Sequence, residues 1–117
     1  MNDILLLTDF SELSRFARSL ADKVAYNTEA KLHVLKIVEV PTLIQINKNG
    51  ELIDSIGDDL SSLKKQKVDA EKLLIEWTSQ MISTVNTKVV YGRFGHSVFD
   101  YVNSSGIELV IMGIHGI

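Results

Sequence analysis

Apolar and polar positions alternate along this chain in two different rhythms. "DILLLTD" is apolar through its middle, from Ile4 to Leu7, as expected of a short strand covered on both faces, and Thr8 and Asp9 close it. From Glu12 the period lengthens. Leu13, Phe16, Ala17, Leu20, Ala21, Val24 and Ala25 fall at helical spacing and predict one continuous buried stripe, with Asp9 or Ser11 as its cap. "KLHVLKIVEV" predicts a second strand, halted by Pro41, the only proline. In "TLIQINKNGELIDSIG" two apolar-rich arms flank Asn49-Gly50, the signature of a tight two-residue hairpin turn, so a small projecting hairpin is expected over about 42–56. Leu60, Leu63, Ala70, Leu74, Trp77 and Met81 then mark an amphipathic helix from about Asp58 to Ser83, with Lys67 on the stripe able to snorkel. "TKVVYG" predicts a third strand, "HSVFDYVNSSG" a short helix ended by Gly106, and "IELVIMG" a fourth strand.

Strands alternating with helices imply parallel strands joined by crossovers, hence an α/β fold: an open, mainly parallel sheet with helices on both faces. The chain has 117 residues, 45% hydrophobic and 23% charged, which suits one globular domain. Its net charge of −3 supplies no basic field for a phosphate backbone or an anionic membrane, so a small molecule or a protein is the expected partner. No stretch is long enough to span a bilayer, and the run from Ile4 to Leu7 is too short for a signal-peptide core. Without cysteine there is no disulfide framework or thiolate metal site, which fits a reducing, cytoplasmic setting.

Open α/β sheets bind ligands at the carboxyl ends of strands where the winding reverses. That rule singles out Thr8 and Asp9 after the first strand, Ile37 to Glu39 at the end of the second, and Gly113 to Ile117 after the fourth. Asp9 has two readings, a carboxylate for a ribose hydroxyl or adenine amine, and a helix N-cap. Gly113 and Gly116 also have two, backbone N–H groups open to an anion, and a plain turn after a strand. His115 between them is either a phosphate contact or an exposed loop histidine. His33 in a strand and His96 at a helix start read as structural, and three scattered histidines do not build a metal site. The hairpin's Leu43, Ile44, Ile46, Leu52 and Ile53 are either a lid or docking surface, or a face packed on the parent domain. Trp77 and Met81 read as packing, and Lys64, Lys65, Asp69, Glu71 and Lys72 as a solvated helix face. Neither a Gly-x-x-x-x-Gly-Lys-Ser/Thr loop nor a Gly-x-Ser-x-Gly elbow is present, and a receiver-type phosphoacceptor would need more acids after the first strand and one after the third. No nucleophile is placed beside a base, so the expectation is a binding module, not an enzyme.

Three stretches in order, "ILLLTDFSELSRFA", "HVLKIVEV" and "GIELVIMGIHG", resemble the universal stress protein family: a strand ending in Thr-Asp before a Ser-capped helix, the second strand, and the fourth strand with the start of a nucleotide loop. The resemblance runs through essentially the whole chain. It implies a stress-response domain that binds an adenine nucleotide such as ATP or AMP, often as a homodimer or beside a second domain of the same kind. By position, Thr8 and Asp9 would face the adenosine, and Ile37 would meet the base through its main chain. Met112, Gly113 and Gly116 would begin a phosphate loop of form Gly-x-x-Gly-x9-Gly-Ser/Thr, with His115 where the family commonly has histidine. Leu7 stands where many nucleotide-binding members have proline, the segment after Pro41 is longer than in the simplest members, and the rest of the loop with a further helix and fifth strand is missing. The resemblance therefore leads us to expect a domain incomplete at its C-terminus, cut from a longer chain, with weakened triphosphate binding. The alternative it leaves is a dimerising interaction protein that binds no nucleotide.

Overall fold

A computed structural model describes residues 1–41, 44–53 and 60–113. Four strands, β1 (Asp3–Leu7), β2 (Lys31–Glu39), β3 (Val85–Gly92) and β4 (Leu109–Met112), form one sheet in the order β3-β2-β1-β4. Every neighbouring pair is parallel. Three helices, α1 (Glu12–Thr28), α2 (Ser61–Thr78) and α3 (Phe94–Ser105), connect them.

The unbroken apolar run of β1 follows from its place at the centre of this sheet. Ile4 and Leu6 join the core beneath α1 and α2, with Leu32, Val34, Ala70 and Leu74. Leu5 and Leu7 join a second core with Leu35, Ile37, Val90 and residues of α3. All four β1 side chains are buried, so each contributes about 1.5–3 kcal/mol of transfer free energy. Right-handed crossovers put connecting helices on one face while the chain winds one way and on the other face after it reverses. Accordingly α1 and α2, on the way out to β3, share a face, and α3, on the way back to β4, has the other.

Helix α1 rotates away from the stripe its periodicity predicts. The buried positions are Ser14, Ala17, Ala21 and Ala25, whereas Leu13, Phe16 and Leu20 are 46%, 75% and 55% exposed. Small side chains face the sheet because the helix backbone comes close to β4: a Cβ on Gly113 would run into the Leu13 carbonyl and press on Ala17. Helix α2 is shorter than expected at its C-terminal end, stopping at Thr78, and Asp58 lies outside the described residues. β3 begins two residues earlier than predicted, at Val85. α3 ends as expected at Gly106, whose φ of 64° suits the left-handed cap.

Leu43 lies outside the described residues, but the loop after it is visible. Ile46 faces Leu52 in an antiparallel bridge, and Asn47 N–H donates to the Glu51 carbonyl at 2.9 Å. Gly50 N–H donates back to the Asn47 carbonyl at 3.1 Å, so Lys48, Asn49 and Gly50 make a three-residue loop with glycine at φ 74° in place of a two-residue turn. The loop is fastened to β3 through Tyr91 N–H to the Gly50 carbonyl at 2.8 Å. Ile44, Ile46 and Leu52 pack on the core, as do Trp77 and Met81. Among the described residues no helix is long and apolar enough to cross a membrane.

Candidate functional site

The chain winds outward from β1 through β2 to β3 and then returns to the far side of β1 as β4. The winding therefore reverses between β1 and β4, and loops leaving the carboxyl ends of those strands must part and leave a crevice. Leu7 and Met112 are the last register partners of the pair, so Thr8–Asp9 and Gly113 emerge side by side.

The first wall is a tightly bonded turn. Thr8 N–H continues the ladder to the Leu35 carbonyl at 3.1 Å, and Thr8 Oγ1 accepts from Phe10 N–H at 2.9 Å. Phe10 sits at φ 63°, a left-handed conformation that a bulky residue adopts only when its surroundings hold it there. The hold comes from the Thr8 bond and from its ring, which meets Trp77 edge-on at 6.0 Å. Asp9 Oδ1 accepts from Ser11 N–H at 3.0 Å, and Ser11 Oγ accepts from Ser14 N–H at 3.3 Å. Ser11 is thus the N-cap of α1, and Asp9 braces the residue that caps.

Ser14, fully buried, joins both walls. Its hydroxyl lies 2.7 Å from Asp9 Oδ1 and 2.8 Å from the Gly113 carbonyl, and it accepts from Asp9 N–H at 3.2 Å. A hydroxyl has one hydrogen, so it serves only one of the two oxygens at a time. Sequence reasoning passed over Ser14. The available signal was a hydroxyl residue in phase with Ala17, Ala21 and Ala25, a polar group on the most buried line of the helix. At Gly113 the absent Cβ lets α1 lie against the strand tip.

The other expected positions fall at different distances from this crevice. Met112 is 52% exposed at the end of β4. Ile37 is buried in the α3-side core, two residues beyond Leu35, the last partner of β1 in β2. His115 and Gly116 lie outside the described residues. His33 is structural: Nε2 is 2.8 Å from Asp3 Oδ1 and Nδ1 is 2.8 Å from the Tyr101 hydroxyl. His96 is exposed and faces Asp100 at 3.4 Å. Among the described residues no three His, Cys, Asp or Glu side chains gather as a metal would require.

Strand order and crossovers together define a doubly wound α/β domain whose winding reverses between β1 and β4. More narrowly, the chain has the universal stress protein fold. It superposes on a universal stress protein family structure from Burkholderia pseudomallei with a TM-score of 0.72 at 18% identity, covering 97% of this chain and 82% of that one. Universal stress protein UspA from Lactobacillus plantarum gives 0.66 at 20% identity, over 99% and 79%. A universal stress protein in complex with cAMP gives 0.64 at 14% identity, over 94% and 74%. No protein-family model and no curated protein sequence matches the chain.

Proposed function

We propose that the β1/β4 crevice binds an adenine nucleotide, and that the domain acts as a nucleotide-sensing or nucleotide-holding module in a stress response, without turnover. The observation that carries this reading is the meeting of Thr8–Asp9 with Gly113 where the winding reverses. The ribose and base would lie against Thr8 and Asp9, with the main chain at Ile37 bordering the base. Phosphates would follow the chain from Met112 and Gly113 toward His115 and Gly116. The cAMP complex of a protein with the same fold supports this class of ligand.

Calorimetric titration of the full-length protein with ATP, AMP and cAMP tests this. A saturable heat with at least one of them is expected, weakened about tenfold by Asp9→Asn, which keeps the amide oxygen as an acceptor but removes the charge. No heat from any of the three would overturn the proposal.

A second reading has its own observation. Leu13, Phe16 and Leu20 of α1 and Met112 of β4 are large apolar side chains left nearly half exposed or more. A dimerising interaction module, whether homodimeric or paired with a second domain of the same fold, would cover them. Concentration-dependent association indifferent to nucleotide, in a protein that also gives no nucleotide heat, favours this second function.

A further inference from the structure

The opposite border of the sheet carries a second enclosure. β3 is the outer strand there, and the Lys48–Gly50 loop is pinned along it by the Tyr91 N–H bond to the Gly50 carbonyl. Gly50 is close enough to Val90 that an added Cβ would stand 2.6 Å from the Val90 Cβ, so this wall is seated with no slack. Between the loop, β3 and α3 lies a cleft of about 410 Å³, within the usual size of small-molecule sites.

Its lining departs from the chain as a whole. The protein has a net charge of −3, yet Lys48 from the loop, Lys88 from β3 and Arg93 ahead of α3 all border this cleft. Among its described lining residues the one carboxylate is Asp100, which faces His96 at 3.4 Å. The same lining holds groups that bond hydroxyls: the Asn49 amide and the alcohols of Ser97 and Ser104. The Tyr101 ring also lines it, and its hydroxyl is tied back to His33 and through His33 to Asp3, which fixes the ring's position. Lysines on separate elements suit a compact anion, and the alcohols and amide in the same lining suit the hydroxyls of its carrier.

We propose that this cleft is a second ligand site, for a small phosphorylated sugar. It is separate from the β1/β4 crevice, lying at the sheet border two strands from β1.

The test is an amide-shift titration of the 15N-labelled full-length protein with ribose 5-phosphate, beside ribose and sodium phosphate at matched ionic strength. Saturable shifts are expected at residues 47–50, 88 and 97–104, with ribose 5-phosphate binding more tightly than either component. Lys48→Ala with Lys88→Ala should weaken binding about tenfold, since two charge-assisted contacts are lost from exposed positions that do not hold the fold. Asp100→Asn should tighten it severalfold, and Asp9→Asn should leave it unchanged. Three results would overturn the proposal: no saturable shifts, equal response to sodium phosphate alone, or loss of the shifts in Asp9→Asn.

Discussion

Each end of the sheet is closed by a three-residue polar tie, and the two ties differ in what they join. At the amino ends of the strands, Asp3, His33 and Tyr101 link β1, β2 and α3. Burial pushes the Tyr101 hydroxyl above its ordinary pKa, a Ser105 hydrogen bond offsets part of this, and the Asp3 carboxylate adds to it. The phenol therefore keeps its proton, and His33 sits between it and the carboxylate, with Nδ1 2.8 Å from the Tyr101 hydroxyl and Nε2 2.8 Å from Asp3 Oδ1. At the carboxyl ends, Asp9, Ser14 and Gly113 link β1, α1 and β4, but a single hydroxyl hydrogen faces two oxygens. The amino end ties strand to strand and to α3, whereas the carboxyl end ties the start of α1 to the two strand tips between which the winding reverses. In parallel α/β sheets that difference divides the end that stabilises from the end that binds.

The largest blow to this contrast should come from Gly113→Ala. The new methyl group would meet the Leu13 carbonyl and Ala17, so α1 must shift and carry Ser14 away from both partners. Overpacking of this kind costs about 1–3 kcal/mol, and losing the buried hydroxyl bonds adds about 1–2 kcal/mol. Urea unfolding of the variant should therefore show a loss near the upper end of that sum. A loss below about 1 kcal/mol would mean that α1 and β4 are looser than their packing indicates.

A paired comparison of Ser14→Ala and Tyr101→Phe separates the two ends by degree. Ser14→Ala strands the Asp9 N–H and deprives two oxygens of their donor, at about 2 kcal/mol. Tyr101→Phe removes one hydrogen bond from His33 Nδ1, at about 1 kcal/mol. If the crevice has capacity for a ligand, Ser14→Ala should also weaken nucleotide binding and Tyr101→Phe should not. Equal effects of the two variants on nucleotide heat would erase the distinction between the ends.

The sheet was legible in the sequence because burial on both faces leaves an uninterrupted apolar run, as in Ile4–Leu7 and "HVLKIV". Helix existence was legible too, through the 3.6-residue period. Which side of α1 would face inward was not, because periodicity ranks Leu13, Phe16 and Leu20 above alanine. The close approach to Gly113 selects the small residues instead. The site was half visible. Asp9 and Gly113 stood out as residue types at strand ends, whereas Ser14 shows only as a hydroxyl in phase with the small buried residues of α1, and its bond to Gly113 across 99 positions of chain is encoded by no local pattern. The Lys48–Gly50 loop shows the same limit: Asn49-Gly50 announced a turn, while docking on β3 depends on a strand some forty residues later.

A smaller effect, with a definite sign, comes from a second carboxylate at the amino end. Asp22 of α1 accepts from Ile82 N–H at 3.0 Å, from Ser83 N–H at 3.0 Å and from the Ser83 hydroxyl, at the entry to β3. Burial alone would raise its pKa, but the bonds from the Ser83 hydroxyl and the two backbone N–H groups outweigh that and hold it below the ordinary carboxylate value. The charged form is thus favoured in the folded state. Its stabilisation is fully present above the unfolded pKa of about 3.9 and is lost as pH falls through the lower folded value. Asp22→Asn should therefore be less stable than the parent by about 1 kcal/mol at neutral pH, with the gap closing toward pH 3. Urea midpoints at both pH values measure this directly. A gap that stays constant would mean that the carboxylate charge is not what joins α1 to the entry of β3.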